Sequence, residues 1–133
     1  MLEFIDNSNT DLINKLNRIS GFKISFGVYD KIYIYKFNKE IIGFINFSII
    51  YDRSELSYIF VLEKYRKKGY AKKMMDFFID YIKNNNCLNI TLEVRKSNKQ
   101  AIRFYLKNDF YKSHIRKNYY GNEDANVLIR EVE

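Results

Sequence analysis

Apolar and polar positions recur along this chain at two periods, and the change from one to the other divides it into elements. The segment KIYIYKF, 31–37, alternates Ile32 and Ile34 with Tyr33 and Tyr35, the period of a strand. NKE turns the chain, IIGFINFSII follows as a second strand, and LSYIFV after YDRSE is a third, so three antiparallel strands form a meander. Ahead of them MLEFID reads as a short strand and NTDLINKLNRI as a helix capped near Asn9 or Thr10. From Gly69 the period becomes helical. Ala71, Met74, Met75, Phe78, Ile79 and Ile82 share one face, with Lys72, Lys73, Asp76, Asp80 and Lys83 opposite. The asparagines at 84–86 end that helix, Asn being the best substitute for Gly in a left-handed cap. LNITLEV then alternates as a half-buried strand, 98–108 repeats the helical pattern, and FYKSHIRKNYY and ANVLIREV read as two closing strands. The predicted order is β-α-β-β-β-α-β-α-β-β: a mixed α/β fold, mainly antiparallel, with helices flanking one central sheet.

Composition narrows the class. No repeat or linker divides residues 1–133, and a chain of this length supports one domain with a real core. With 47% hydrophobic and 29% charged residues it is a globular chain rather than a disordered one. The single cysteine, Cys87, excludes an internal disulfide and suits a reducing compartment. No signal-peptide pattern opens the sequence and no apolar run is long enough to span a bilayer, so a cytoplasmic location is expected, with no membrane partner. The net charge of +7 invites a nucleic-acid reading. The abundance of Lys, Asn, Ile, Tyr and Phe, without Pro or Trp, has a plainer source in A/T-rich coding sequence, which raises Lys without reference to a ligand.

Two segments carry candidate chemistry. In YRKKGYAKKMM and the Lys64 just before it, six cations crowd around Gly69 at a helix start, where unpaired N–H groups and the helix dipole favour a phosphate. Gly69 allows close backbone approach and Ala71 leaves the first turn uncrowded. The same run also reads as a solvated charge cluster. In LEVRKSNKQAIRFY, Glu93 lies on the polar edge of its strand, where a solvated carboxylate is the plain alternative. Asn98 and Ser97 are both candidate helix caps. Tyr105 follows Asn98 by seven residues, on nearly the same helix face and about 10 Å further along; it also reads as a core aromatic with its hydroxyl at the surface. His114, without a second ligand, and Cys87 point to structural roles, and no metal site is expected.

Together these segments resemble the motifs of the GNAT acetyltransferases, which use acetyl-CoA. Arg66-Lys67-Lys68-Gly69-Tyr70-Ala71 is similar to the family's Gln/Arg-x-x-Gly-x-Gly/Ala turn, which cradles the cofactor pyrophosphate. LEVRKSNKQAIRFY and the tail IRKNYYGNEDANVL resemble the corresponding segments of RimI-type ribosomal-protein-alanine N-acetyltransferases, the likeness running from about Ile42 to Leu128. The resemblance implies the GNAT acyl-CoA N-acyltransferase fold, with main-chain contacts from Ile59, Phe60 and Val61 to the acetyl and pantetheine groups. It implies that Lys67, Lys68, Gly69, Tyr70, Ala71 and Lys72 wrap the pyrophosphate and that Asn98 binds the cofactor arm. Glu93 would be the general base and Tyr105 the general acid. The chain departs from the family pattern at Glu63, where a Pro is common, at Asp109, where a Gly is common, and in a short region between Ile5 and Lys31 without tryptophan.

The expected reaction is direct attack of a neutral amine on the thioester, the carbonyl oxygen being stabilised by a backbone N–H near Phe60–Val61 at a bulge or kink. At pH 7 an α-amine of pKa about 8 is roughly one-tenth neutral, and deprotonation costs it about 1.4 kcal/mol against nearer 5 for lysine. One strand-edge carboxylate is adequate for the first, which favours a protein N-terminus, a ribosomal protein among the candidates. A small amine, polyamine, antibiotic or lysine side chain is the alternative acceptor, and a nucleic-acid-binding module the remote one. Tyr119 and Tyr120 are expected along a bound peptide, with Glu123 and Asp124 attracting its positive charge; the same segment reads equally as a polar and aromatic hairpin tip.

Overall fold

Alternation in the central strands proves to be burial on both faces. Ile32 and Ile34 in β2 (Asp30–Phe37) pack under α1 (Thr10–Ser20) with Leu16 and Phe44. Tyr33 and Tyr35 turn the other way, against Phe77, Tyr81 and Tyr70 of α2 (Tyr70–Asn84). The computed structural model describes residues 2–5, 9–24 and 27–132. The remaining elements are β1 (Leu2–Ile5), β3 (Glu40–Ile50), β4 (Arg53–Val61), a short 3-10 turn over Glu63–Tyr65, β5 (Asn89–Arg95), α3 (Lys99–Lys107), β6 (Tyr111–Arg116) and β7 (Ala125–Glu131). This is the order the periodicity predicts; Met1 and Asp6 at the ends of the first expected strand lie outside the described residues.

The seven strands form one sheet in the order β1-β2-β3-β4-β5-β7-β6. Among the described residues every pairing is antiparallel except β4 with β5. On one face α2 and α3 cover the larger core, built around Ile45, Phe47, Met74, Met75, Phe78, Ile82, Ile90 and Leu92. On the other, α1 covers the smaller core of the β1–β3 side. Among the described residues no helix is long and apolar enough to cross a membrane.

Helix ends follow local chemistry. Asn9 caps α1 by accepting the Leu12 N–H, and Asn98 caps α3 by accepting that of Ala101. Asn86 takes the left-handed conformation after α2 (φ 58°), as does Asp109 after α3 (φ 67°).

Two irregularities shape the centre of the sheet. The β3–β4 register shifts so that Phe47 faces Leu56 and Asn46 faces Tyr58, leaving Ser57 as an extra residue. The bulge expected near Phe60–Val61 therefore lies a few residues earlier. Asn46, fully buried beside it, donates its amide to the Lys31 carbonyl at 3.0 Å. Next, β5 pairs with β4 along Arg53–Glu55 and Asn89–Thr91, and no further. Beyond that point the two strands part.

Candidate active site

Parity along β4 decides which main-chain groups face the opening. The Leu62 N–H donates to the Ile42 carbonyl at 2.8 Å, and the register opposes Phe60 to Phe44 and Tyr58 to Asn46. In an antiparallel ladder the hydrogen-bonded pairs alternate. Positions 58, 60 and 62 thus turn their N–H and C=O toward β3, while Ile59 and Val61 turn theirs toward the gap left by β5. Phe60, expected to offer main-chain contacts there, does not, because its polar groups serve the ladder. Its ring packs on the α1 face, against Phe44 and Phe22. The Val61 carbonyl accepts from Arg66 Nε at 2.8 Å, so the first residue of the basic motif ties its turn back to the opened strand.

That turn is built for close approach by a ligand. Lys67 (φ 62°) and Gly69 (φ 87°) are left-handed, and apart from its chain neighbours no described residue comes within 4 Å of where a Cβ at Gly69 would sit. The first internal bond of α2 is Lys73 N–H to Gly69 C=O, so the amides of Tyr70, Ala71 and Lys72 precede the ladder. The first turn has neither a capping side chain nor an acidic residue. Lys67 and Lys68 have no carboxylate partner among the described residues, though Lys68 rests over the Tyr65 ring. Lys72 pairs with Asp76 at 2.7 Å, and the Tyr70 ring packs on Tyr35 and Tyr65. Those two thus contribute main chain at the turn while their side chains serve the fold.

Where β4 and β5 separate, a cleft of about 740 Å³ is lined by Tyr58, Ile59, Glu55, Glu93, Arg95, Asn98, Ala101, Tyr105, Tyr119 and Tyr120, among others. Leu92 belongs to the core under α2 and α3, so Glu93 points to the opposite face. Tyr105 reaches the cleft from α3. It is buried, packed on Phe104 and Phe110, and its hydroxyl has no hydrogen-bond partner among the described residues. Burial, and then Tyr120, push its pKa well above the ordinary phenol value, so the group stays protonated. Glu93 Oε1 accepts from Arg116 Nη1 at 3.0 Å. Asn98 is at the cleft with its carbonyl oxygen used as the cap of α3, which leaves its NH2 for a ligand.

The tail folds over the same opening. Tyr119 and Tyr120 meet edge to face at 5.0 Å, with Arg116 over the first ring and Arg95 over the second. Glu93, followed by burial, raises the pKa of Tyr119; burial is the leading cause for Tyr120. Glu123 and Asp124 do not serve as free acidic groups. Glu123 accepts from the Ser97 N–H and from Arg95, bonds that hold its carboxyl below the ordinary value, and Asp124 accepts from the Asn118 N–H. These bonds close the loop. Glu55, Tyr58 and Phe22, which stacks on Tyr58 at 4.8 Å, also line the cleft, and Arg116 bears on it through its ion pair with Glu93; none of the four carries a motif of its own. Among the described residues no three His, Cys, Asp or Glu side chains gather as a metal site.

A family model described as the acetyltransferase (GNAT) family matches residues 11–110, three-quarters of the chain. This chain belongs to the GNAT acetyltransferase family. A ribosomal protein bS18-alanine N-acetyltransferase of Escherichia coli is 30% identical over 99 residues, covering 71% of this chain and 67% of that relative. An N-alpha-acetyltransferase of Saccharolobus solfataricus is 43% identical over 76 residues, 56% of this chain and 46% of the relative. The matches thus span about half to two-thirds of those proteins. The crystal structure of the E. coli ribosomal-protein-S18-alanine N-acetyltransferase has the same fold, with a TM-score of 0.87 at 21% identity over 100% of this chain and 94% of that one. Membership of this family supports an acetyl-CoA-dependent acetyltransferase over a nucleic-acid module.

The residues present fit that co-substrate. A diphosphate needs accessible backbone amides and positive charge, and the Gly69 turn supplies both. An extended arm needs an unpaired strand edge, and Ile59 and Val61 provide it.

Proposed function

We propose that this acetyltransferase, as one domain over residues 1–133, acetylates the free α-amine of a protein N-terminus, with Glu93 as general base and Tyr105 as general acid. The observation that carries the reading is the parting of β4 and β5, which opens one cleft to Glu93 on one face of the sheet and Tyr105 on the other. Acetyl-CoA supplies an activated acyl group when bound. Lys67, Lys68, Gly69 and the amides of Tyr70, Ala71 and Lys72 hold the diphosphate, and Asn98 and the Ile59 and Val61 main chain hold the arm. The amide of Val61, with that of Ile59, gives a carbonyl oxygen hydrogen-bond donors as charge develops. Glu93 takes a proton from nitrogen as the N–C bond forms. Tyr105, kept neutral by burial, gives its proton to the departing sulfur.

On the acceptor side Tyr119 and Tyr120 lie along the mouth, where a peptide backbone packs. The names of the relatives support an α-amine, and a ribosomal protein is one acceptor to test. Action in the cytoplasm belongs to the same reading, in keeping with the free, buried Cys87 thiol. A mass-shift screen with acetyl-CoA tests it. Peptides with free N-terminal Ala, Ser, Gly or Met are offered beside lysine peptides with blocked N-termini, polyamines and aminoglycosides. Acetylation confined to free N-termini is expected; acetylation confined to lysines or small amines would overturn the acceptor assignment while leaving the reaction class intact.

A further inference from the structure

Asp30, Ser48, Glu55 and Thr91 stand in one row across four strands, since Asp30 pairs with Ser48, Ser48 with Glu55 and Glu55 with Thr91. Residues directly opposite share a face. Glu93, two residues beyond Thr91, lies on that same face. Glu55 is therefore one strand and one row from Glu93, at the last paired position before the strands part, and both carboxylates line the cleft that holds Tyr105.

Their surroundings differ. Glu93 is largely covered, 19% exposed at its side chain, and held by Arg116. Glu55 is open to the cleft and has neither an ion pair nor a side-chain hydrogen bond among the described residues. The groups around it are Lys23 after α1, Asp30 at the start of β2, Ser48 on β3, Tyr58 on its own strand, Thr91 and Glu93 on β5, Arg116 on β6, and Tyr119 beyond it. The strands that partly desolvate it, and then Glu93 and Asp30, raise its pKa, while Arg116 acts against them.

Acyl transfer to an ammonium requires nitrogen to lose two protons while sulfur gains one. A single Arg-bound carboxylate is poorly matched to both losses. We propose that Glu55 is a second catalytic carboxylate, taking the proton that turns the incoming ammonium into an amine and leaving Glu93 to take the one released when the N–C bond forms. The sequence balances. The ammonium gives a proton to Glu55. The nitrogen lone pair forms the N–C bond, the C–S bond breaks, and sulfur takes the Tyr105 proton. The remaining excess proton on nitrogen passes to Glu93 and returns to the Tyr105 phenolate. Glu55 releases its proton to solvent, the one proton the reaction produces.

This rests on the proposed acetylation of an amine and makes a distinct demand on pH. With an acceptor verified by the screen, kcat/KM is measured from pH 6 to 9.5 for the wild-type protein and for Glu55→Gln, Glu55→Asp and Glu93→Gln. Glu55→Gln is expected to lose about 10-fold at pH 7. The deficit closes as pH rises past the acceptor's own pKa, because the amine then arrives neutral. Glu55→Asp retains the wild-type profile, and Glu93→Gln stays low at every pH. Binding of acetyl-CoA by calorimetry is unchanged in both Glu55 variants. A Glu55→Gln deficit that stays constant with pH, one confined to KM, or activity within twofold of wild type throughout would overturn the proposal. A second readout is independent of turnover. Carboxyl carbon-13 NMR of the free protein should show a glutamate titrating above the ordinary range that disappears in Glu55→Gln, and its absence would also overturn it. If the screen finds only lysine or polyamine acceptors, the acceptor reading fails and the same pH comparison with that amine still decides on Glu55.

Discussion

The two sides of the cleft are made in different ways. On the side proposed for the donor the chain offers main chain from one continuous run: the outward groups of Ile59 and Val61, the Arg66 link to Val61, and the amides that open α2 after Gly69. On the side proposed for the acceptor it uses side chains from distant segments: Glu55 and Glu93 set by strand register, Arg116 at the end of β6 paired to Glu93, and Tyr119 and Tyr120 in the turn that follows. Backbone recognition depends on conformation, so a turn can keep its function while its side chains drift. A side-chain site depends on identity at each position. The comparison implies that substitutions on the acceptor side change turnover and acceptor choice, whereas changes to the donor run act through cofactor binding or through the backbone.

Tyr105 stands between the two sides, and its removal is the severest test. Tyr105→Phe keeps the ring that packs on Phe104 and Phe110 and removes the proton donor. Turnover should fall about 100-fold with acetyl-CoA affinity unchanged, read by steady-state kinetics and calorimetry. Because burial raises the phenol's pKa, the acid form is lost only far into the alkaline range. The wild-type profile should therefore show no decline assignable to this group up to pH 9.5. Equal losses in turnover and cofactor affinity would mean that the hydroxyl serves binding instead.

The backbone side breaks most sharply at Gly43, opposite Val61. A Cβ there would lie 2.3 Å from the Phe60 carbonyl oxygen, a main-chain atom unable to swing aside. Gly43→Ala should destabilise the protein by about 2 kcal/mol, measured by urea unfolding, and weaken acetyl-CoA binding because β4 must shift. Unchanged stability would show that the strand tolerates the displacement.

Charge at the phosphate turn comes next. Replacing Lys67 and Lys68 together by Glu should weaken acetyl-CoA binding about 10-fold at low salt, and less at high salt, by calorimetry. Most of the affinity should survive, since the amides of α2 remain. Complete loss would move the weight of recognition from main chain to side chains and erase the contrast between the two sides.

The same contrast explains how much was legible in the sequence. Periodicity gave the order of elements, and Asn9, Asn98 and Asn86 announced helix ends, because each signal is carried by a few neighbouring residues. The Gly69 turn was readable for the same reason. Glu55 and Arg116 were not. Their meaning depends on a row through β2, β3, β4 and β5 and on a bulge at Ser57 that reverses the parity of every residue after it. Phe60 came within a run of three with Ile59 and Val61, and only the ladder shows that its main chain faces β3; the partners of Glu123, Arg95 and Ser97, lie in another segment.

The smallest effect is expected at Asp109, where a local signal meets the catalytic helix. Asp109 follows α3 in a left-handed conformation (φ 67°), and the next residue, Phe110, donates its N–H to the Tyr105 carbonyl at 3.1 Å while its ring packs on Tyr105. Glycine adopts that conformation without the Cβ strain but leaves a freer unfolded chain, so the two terms partly cancel. The Asp109–Arg130 contact, 3.9 Å long with the carboxylate 83% exposed, adds little. Asp109→Gly should therefore stabilise the fold by about 0.5 kcal/mol in urea unfolding and leave turnover within twofold. A loss of stability would mean that the aspartate side chain holds the end of α3 through Arg130, and that this junction is coded by side-chain pairing as the acceptor side is.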